Sequence, residues 1–209
     1  KMTNKEIWRQ FLDNCKSIIV FDTETTGVQA GFNTILSLSW QELDSNLNTI
    51  NEQTRYFDWP EDEARVSMGA ININKLTRER LRELGTTDKK QELQKFSETL
   101  AESGLLVGHN AKFDIGFLNS EFKENEVEAN IARHIPVFDT MVSMTAYCKI
   151  PRNGHHGIGN FKYPRLGELA QFLHVNTSDI DFHQSSSDVE VTVRCLREIV
   201  SNGLVPPTR

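Results

Sequence analysis

Apolar positions recur at helical spacing near both ends of the chain and gather into short dense runs between. Ile7, Trp8, Phe11 and Leu12 predict a leading helix from Asn4 to about Lys16. Ser17–Asp22 is a nearly continuous apolar run rich in Ile and Val, the mark of a strand buried on both faces near the middle of a sheet. In Thr34–Leu43, Ile35 and Ser37 alternate against Leu36 and Leu38, and Leu47–Trp59 holds another strand. Together these predict antiparallel strands after the first. A helix follows over Thr77–Leu84, then a longer one capped by Thr86 or Thr87 with Leu93, Phe96 and Leu100 on one face. Leu105–Val107 and Ile135–Phe138 predict strands, with helices over Ala111–Phe122 and Thr140–Cys148. Pro151–Tyr163 is rich in Gly, Asn and His and predicts a loop; Arg165–Leu173 and Ser187–Ile199 predict the closing helices. Neither a repeat nor a Pro/Gly/Ser-rich linker divides the 209 residues, so the expectation is one α/β domain.

The first buried strand ends unusually. In IIVFDTETTG, Asp22 and Glu24 are two residues apart, so they share one face if the strand persists. Two anions converging at a strand end repel each other unless something positive lies between them. Hard divalent cations such as Mg²⁺ or Mn²⁺ suit that role. Two other readings compete. The pair can open a turn as a cap, or VFDTETT can be the DxDxT-like strand of a haloacid-dehalogenase phosphatase. The phosphatase reading lacks its late acidic cluster behind a Gly-Asp strand, and position 24 is Glu.

Two further segments bear on the choice. In VGHNAKFDIGFL, a strand runs through His109-Asn110 into a helix with Asp114 one turn in. In HQSSSDVEVTV, Ser187 and Glu190 have the spacing of a capping box, which predicts a helix start near Ser187, Asp188 in its first turn and His183 in the loop before it.

Taken in order, FDTETTG, HNAKFD and HQSSSD resemble the three motifs of the DEDDh (DnaQ-like) 3′–5′ exonucleases, the family that includes the proofreading subunit of bacterial DNA polymerase III. The resemblance spans about residues 17–200, and Phe138-Asp139-Thr140 and YPRLGELAQFL agree with lesser features of the family. It implies a ribonuclease H-like fold, with a mixed central sheet of three antiparallel strands plus parallel strands, flanked by helices. It also implies that Asp22, Glu24, Asp114 and Asp188 hold two divalent cations, Mg²⁺ or Mn²⁺, and that His183 is the general base. Thr25 and Thr26 match the family's contacts to the 3′-terminal nucleotide, with Asn110 and Phe113 facing the same cleft. The serines between His183 and Asp188 depart from the family's small apolar pattern but keep its spacing.

The implied activity is stepwise hydrolysis from the 3′ end of DNA, at single-stranded or frayed ends, releasing 5′-mononucleotides. An exoribonuclease of the same superfamily, of the oligoribonuclease or RNase T type, is the alternative; a non-catalytic nucleic-acid-binding module is disfavoured by the complete set of carboxylates and the His. A general base must be neutral to act, and an ordinary imidazole titrates at about 6.5, so activity is expected to rise through about pH 6–8.

Composition adds limits. Net charge is 23 − 29 = −6, which argues against coating nucleic acid through a broad basic face. Basic residues do gather between Lys149 and Arg165, beside His155 and His156, which lack neighbouring ligands for a metal site. That loop is expected beside the substrate path. No apolar run reaches the roughly 20 residues of a membrane span. Cys15, Cys148 and Cys195 form no CxxC, which suits a reducing cytoplasm. The expected domain is 1–209, with a leading helix over 1–16, a core over about 17–200 and a short tail over 203–209 that leaves no docking segment for a polymerase partner.

Overall fold

The structure, a computed structural model, describes residues 1–129, 131 and 135–207. Five strands form one mixed sheet in the order β3-β2-β1-β4-β5. They are β1 (Ile18–Thr25), β2 (Ile35–Leu43), β3 (Thr49–Tyr56), β4 (Leu105–Gly108) and β5 (Val137–Asp139). The β1–β2 and β2–β3 pairs are antiparallel, whereas β1–β4 and β4–β5 are parallel. This is the expected ribonuclease H-like arrangement. Helices α1 (Asn4–Asp13), α2 (Met68–Asn74), α3 (Arg78–Leu84), α4 (Lys89–Ala101), α5 (Ala111–Glu124), α6 (Thr140–Cys148), α7 (Leu166–Phe172) and α8 (Ser185–Ser201) flank it.

Strand periodicity divides the core. Ile18 and Val20 of β1 point into a cluster with Trp8, Phe138 and Val189, Val193 and Leu196 of α8. Ile19 and Phe21 point the other way, against Phe96 of α4 and Phe117 and Phe122 of α5. A smaller cluster of Leu36, Ile71, Leu76 and Leu81 seats α2 and α3. Since side chains alternate along a strand, Asp22 and Glu24 continue the α8 face and Thr23 continues the α5 face. The pairing of β1 with β4 ends at Val20–Val107, so β1 runs five residues beyond its parallel neighbour. That leaves an open edge where the strand directions change, the usual place for a site in an open α/β sheet.

Several local expectations are corrected. The long helix is capped by Asp88, whose side chain accepts from Gln91 N–H, and not by Thr86 or Thr87. Helix α8 starts at Ser185, two residues before the expected capping box, with Gln184 at its N-cap. Glu190 instead accepts hydrogen bonds from Gln41 at 2.6 Å and Arg194 at 3.1 Å. Strand β2 does not alternate between core and solvent, because Ser37, Ser39 and Gln41 are buried as well. Ser185 explains the serines: its Oγ lies 2.9 Å from Ser37 Oγ and 2.6 Å from Ser39 Oγ. Within 151–163 lies a two-stranded ribbon of β6 (Gly157–Ile158) and β7 (Phe161–Lys162) rather than a plain loop.

Candidate active site

The strand-end pair and the first turn of α8 meet as the periodicity requires. One carboxylate oxygen each from Asp22, Glu24 and Asp188 lies within 4.8 Å of the others. Asp114 approaches from the opposite face of β1. Its Oδ1 accepts the Thr23 backbone N–H at 3.1 Å and also the Thr23 hydroxyl. The residue between the two motif acids therefore ties the third motif acid to the open strand edge. Asp114 stands beside the group of three rather than within it.

Electrostatics marks this as an uncompensated anionic centre. Burial pushes Asp22 well above the ordinary carboxylate range, and Asp114, Glu24 and Asp188 add to the shift by repulsion. Glu24 is pushed up to about 8, first by burial and then by Asp188 and Asp114. Burial carries Asp114 to about 7 against the opposing Thr23 hydrogen bonds, and Asp188 to about 6. Among the described residues, no Lys or Arg pairs with any of the four. Asp22 Oδ2 is buried with no hydrogen-bond partner. A buried carboxylate oxygen without a donor is costly unless a cation takes it. An all-oxygen donor set with such an orphan fits hard divalent ions.

His183 sits in a left-handed turn with φ 70°, and its backbone N–H reaches Asp188 Oδ1 at 3.3 Å. Its exposed side chain lines a recess of about 110 Å³ opposite Glu24. Glu24 also lines a cavity of about 630 Å³, bounded by Thr25, Phe32, Asn33, Val66, Ile73 and Phe113 among others. Phe113 both lines this cavity and packs on Phe117 at 4.9 Å between ring centroids. Asn110 is an exposed, left-handed N-cap of α5.

Thr26 does not fit its expected place in the cleft. It is wholly buried, its hydroxyl donates to Arg65 O and accepts from Thr34 N–H, and its own N–H donates to Thr34 O. With these groups committed to the scaffold, Thr26 shapes the turn and leaves Thr25 as the threonine at the cavity wall. Thr25 Oγ1 itself donates to Gly27 O at 2.5 Å.

The sequence motifs leave Thr23, Asn33 and helix α2 without a role and mark Asp139 only as a lesser family feature. Thr23 was hidden as the spacer of the DxE pair, though its face was deducible from strand alternation. Asn33 and helix α2 form much of the cavity wall. Asp139 caps two helices, accepting from Met141 and Val142 of α6 and from Asn110 and Ala111 at the start of α5. Its place after a strand and before a helix signals only the first of these.

The exonuclease family profile of RNase T type matches residues 19–196, from the first core strand to the last helix. The chain belongs to the exonuclease family. Relatives of the family that resemble it include the PolC-type DNA polymerase III of Pediococcus pentosaceus, 33% identical over 125 residues, covering 59% of this chain and 8% of the polymerase. The PolC-type polymerase of Halalkalibacterium halodurans is 28% identical over 190 residues, covering 88% and 11%. The chain thus spans about a tenth of the length of these polymerases. Among family folds, exonuclease I of E. coli in complex with a dA16 oligonucleotide superposes with a TM-score of 0.71 at 18% identity, over 89% of this chain and 41% of that one. The fold is therefore shared at low sequence identity. Among the described residues, no helix is long and apolar enough to cross a membrane.

Proposed function

We propose that this chain is a two-metal-ion 3′–5′ exonuclease that removes 5′-mononucleotides from the 3′ end of DNA. The carrying observation is the convergence of Asp22, Glu24 and Asp188 within 4.8 Å around an orphaned Asp22 oxygen. Asp22, Glu24, Asp114 and Asp188 would hold the ions, Mg²⁺ or Mn²⁺. When bound, such a pair lowers the pKa of water and neutralises charge on the phosphate and the leaving oxygen.

The protein's own groups supply the rest. Thr23 fixes the Asp114 carboxylate through two donors, so this ligand is oriented before any ion arrives. His183 stands opposite Glu24 and accepts the proton of the attacking water at its imidazole. The cavity beside Glu24 receives the terminal nucleoside, with Phe32, Ile73 and Phe113 offering apolar contact and Asn33 and Thr25 polar edges. Asn110, the exposed N-cap of the helix bearing Asp114, is the candidate contact to the sugar-phosphate. DNA is favoured because the related polymerases are DNA polymerases and the superposed exonuclease I carries a deoxyoligonucleotide. The described chain acts as one domain, and its three free cysteines suit the cytoplasm.

The test uses single-stranded DNA and RNA labelled at either end, with Mg²⁺, Mn²⁺ or EDTA. Expected are mononucleotides released from the 3′ end of DNA, abolished by EDTA. Endonucleolytic products, 5′–3′ polarity or full activity in EDTA would overturn the proposal.

A further inference from the structure

Residues 149–165 contain Lys149, Arg152, Lys162, Arg165, His155 and His156 and no Asp or Glu, in a chain whose net charge is −6. The segment is built as an arm. Residues 151–156 and 158–160 are exposed around the β6–β7 ribbon. Arg152 turns inward, donating to His155 O at 3.0 Å and Gly159 O at 3.1 Å, which stiffens the tip. Gly157 permits the tight ribbon, since a Cβ there would stand 1.9 Å from Phe161 O. Lys162 is neutralised by Glu168 at 2.5 Å. Lys149 and Arg165, at the two ends of the arm, are exposed, and among the described residues neither side chain forms a salt bridge, the Glu168 carboxylate accepting the Arg165 backbone N–H at 2.9 Å while it pairs with Lys162.

The base of the arm touches both lips of the candidate active site. Pro164 O accepts a hydrogen bond from His109 Nε2 at 2.9 Å, and His109 immediately precedes the Asn110 cap of α5. Gly167 packs toward the ring of Phe182, the residue before His183. Arg165 therefore lies on the short stretch that joins the Asp114 helix to the His183 loop.

We propose that this arm, through Lys149 and Arg165, holds the phosphate backbone of a single strand on the 5′ side of the scissile bond. The proposal rests on the exonuclease reading above: a strand whose 3′ nucleotide fills the cleft has all its remaining phosphates on the 5′ side. Backbone contacts of this kind carry no base information. The exposed imidazoles of His155 and His156 add flat faces on which bases can stack.

The experiment compares wild type with Lys149→Gln/Arg165→Gln, two positions outside the internal bonding of the ribbon. Kd for labelled oligo-dT and oligo-rU is read by fluorescence anisotropy from 50 to 200 mM salt, with Ca²⁺ replacing Mg²⁺ to slow cleavage. Wild-type hydrolysis of thymidine 5′-(p-nitrophenyl phosphate), which has no 5′-side strand, is read in parallel. Losing two phosphate contacts on a single strand lowers the log–log salt slope by about 1.4. The wild-type advantage should then shrink about sevenfold across that fourfold salt range, on DNA and RNA alike. An unchanged salt slope in the double variant overturns the arm, as does a loss at low salt that persists undiminished at high salt. If wild type hydrolyses neither the ester nor the oligonucleotide with Mg²⁺ or Mn²⁺, the exonuclease reading fails instead, whatever the arm does.

Discussion

Replacing Asp188 by Asn should stabilise the metal-free protein while abolishing its activity. Asp188 sits in the first turn of α8, within 4.8 Å of Asp22 and Glu24, and burial lifts its carboxyl from 3.8 to about 6. The sign follows from linkage. A carboxyl with a raised folded value costs nothing below its unfolded value near 4 and costs most once pH exceeds both. At pH 8 this difference is about 3 kcal/mol, at about 1.4 kcal/mol per pH unit. Asn keeps an oxygen for the His183 N–H and removes a charge that also raises Asp22 and Glu24. For a domain of this size 1 kcal/mol is about 2–4 °C, so Tm in EDTA should rise by roughly 6–12 °C. With Mn²⁺ or Mg²⁺ the order should invert, because wild type gains ion-binding energy that the variant cannot match. Differential scanning fluorimetry in EDTA and in 10-fold steps of Mn²⁺ reads both. A variant with equal or lower Tm in EDTA, and a wild type indifferent to the ion, would refute the picture of four mutually repelling ligands.

Other outcomes follow from the same geometry. In EDTA, wild-type Tm should fall from pH 5 to pH 8, since Asp188, Asp114 and Glu24 are raised to about 6, 7 and 8, so the penalty of ionising Asp188 and Asp114 is incurred across that window and that of Glu24 is still growing at its end. A Tm that climbed with pH there would count against it, and saturating Mn²⁺ should flatten the slope. His183→Ala should lower kcat about 100-fold or more while ion-induced stabilisation persists, because the imidazole is not among the converging carboxylates. Loss of the thermal response to Mn²⁺ in that variant would make His183 a ligand instead. Thr23→Val removes one of two donors to Asp114 with little change of shape. It should cost about 1–2 kcal/mol of stability and 10–100-fold in ion affinity or rate; wild-type ion titrations in the variant would show that Asp114 needs no such orientation.

The candidate site was legible because its residues are concentrated in three short segments whose periodicities specify direction. Alternation along β1 aims Asp22 and Glu24 at α8, and one helical turn from Asn110 brings Asp114 to the strand edge. What stayed hidden depends on partners distant in sequence. Ser37 and Ser39 look like solvent-facing positions of a one-sided strand until Ser185, some 150 residues later, accepts them into the interior. Thr26 looks available in a polar turn, yet Thr34 and Arg65 use up its hydroxyl. Helix α2 carries SMGAININ, with Ser67 at its N-cap making no side-chain bond and a Gly in its first turn, so neither capping nor propensity announces it. Asp88 outcompetes the threonines as a cap because it stands one residue before the first helical position that the packing of Leu93, Phe96 and Leu100 selects.

Asp139 gives the fold an unexpected mechanical property. One carboxylate holds four amides belonging to two helices, so neither helix start can loosen without releasing the other. Native-state hydrogen exchange should therefore find Asn110, Ala111, Met141 and Val142 opening together, as one cooperative unit. The helix bearing Asp114 is thereby clamped to one that carries none of the four motif carboxylates, and a lesion in α6 would be felt as a loss of alignment one strand away.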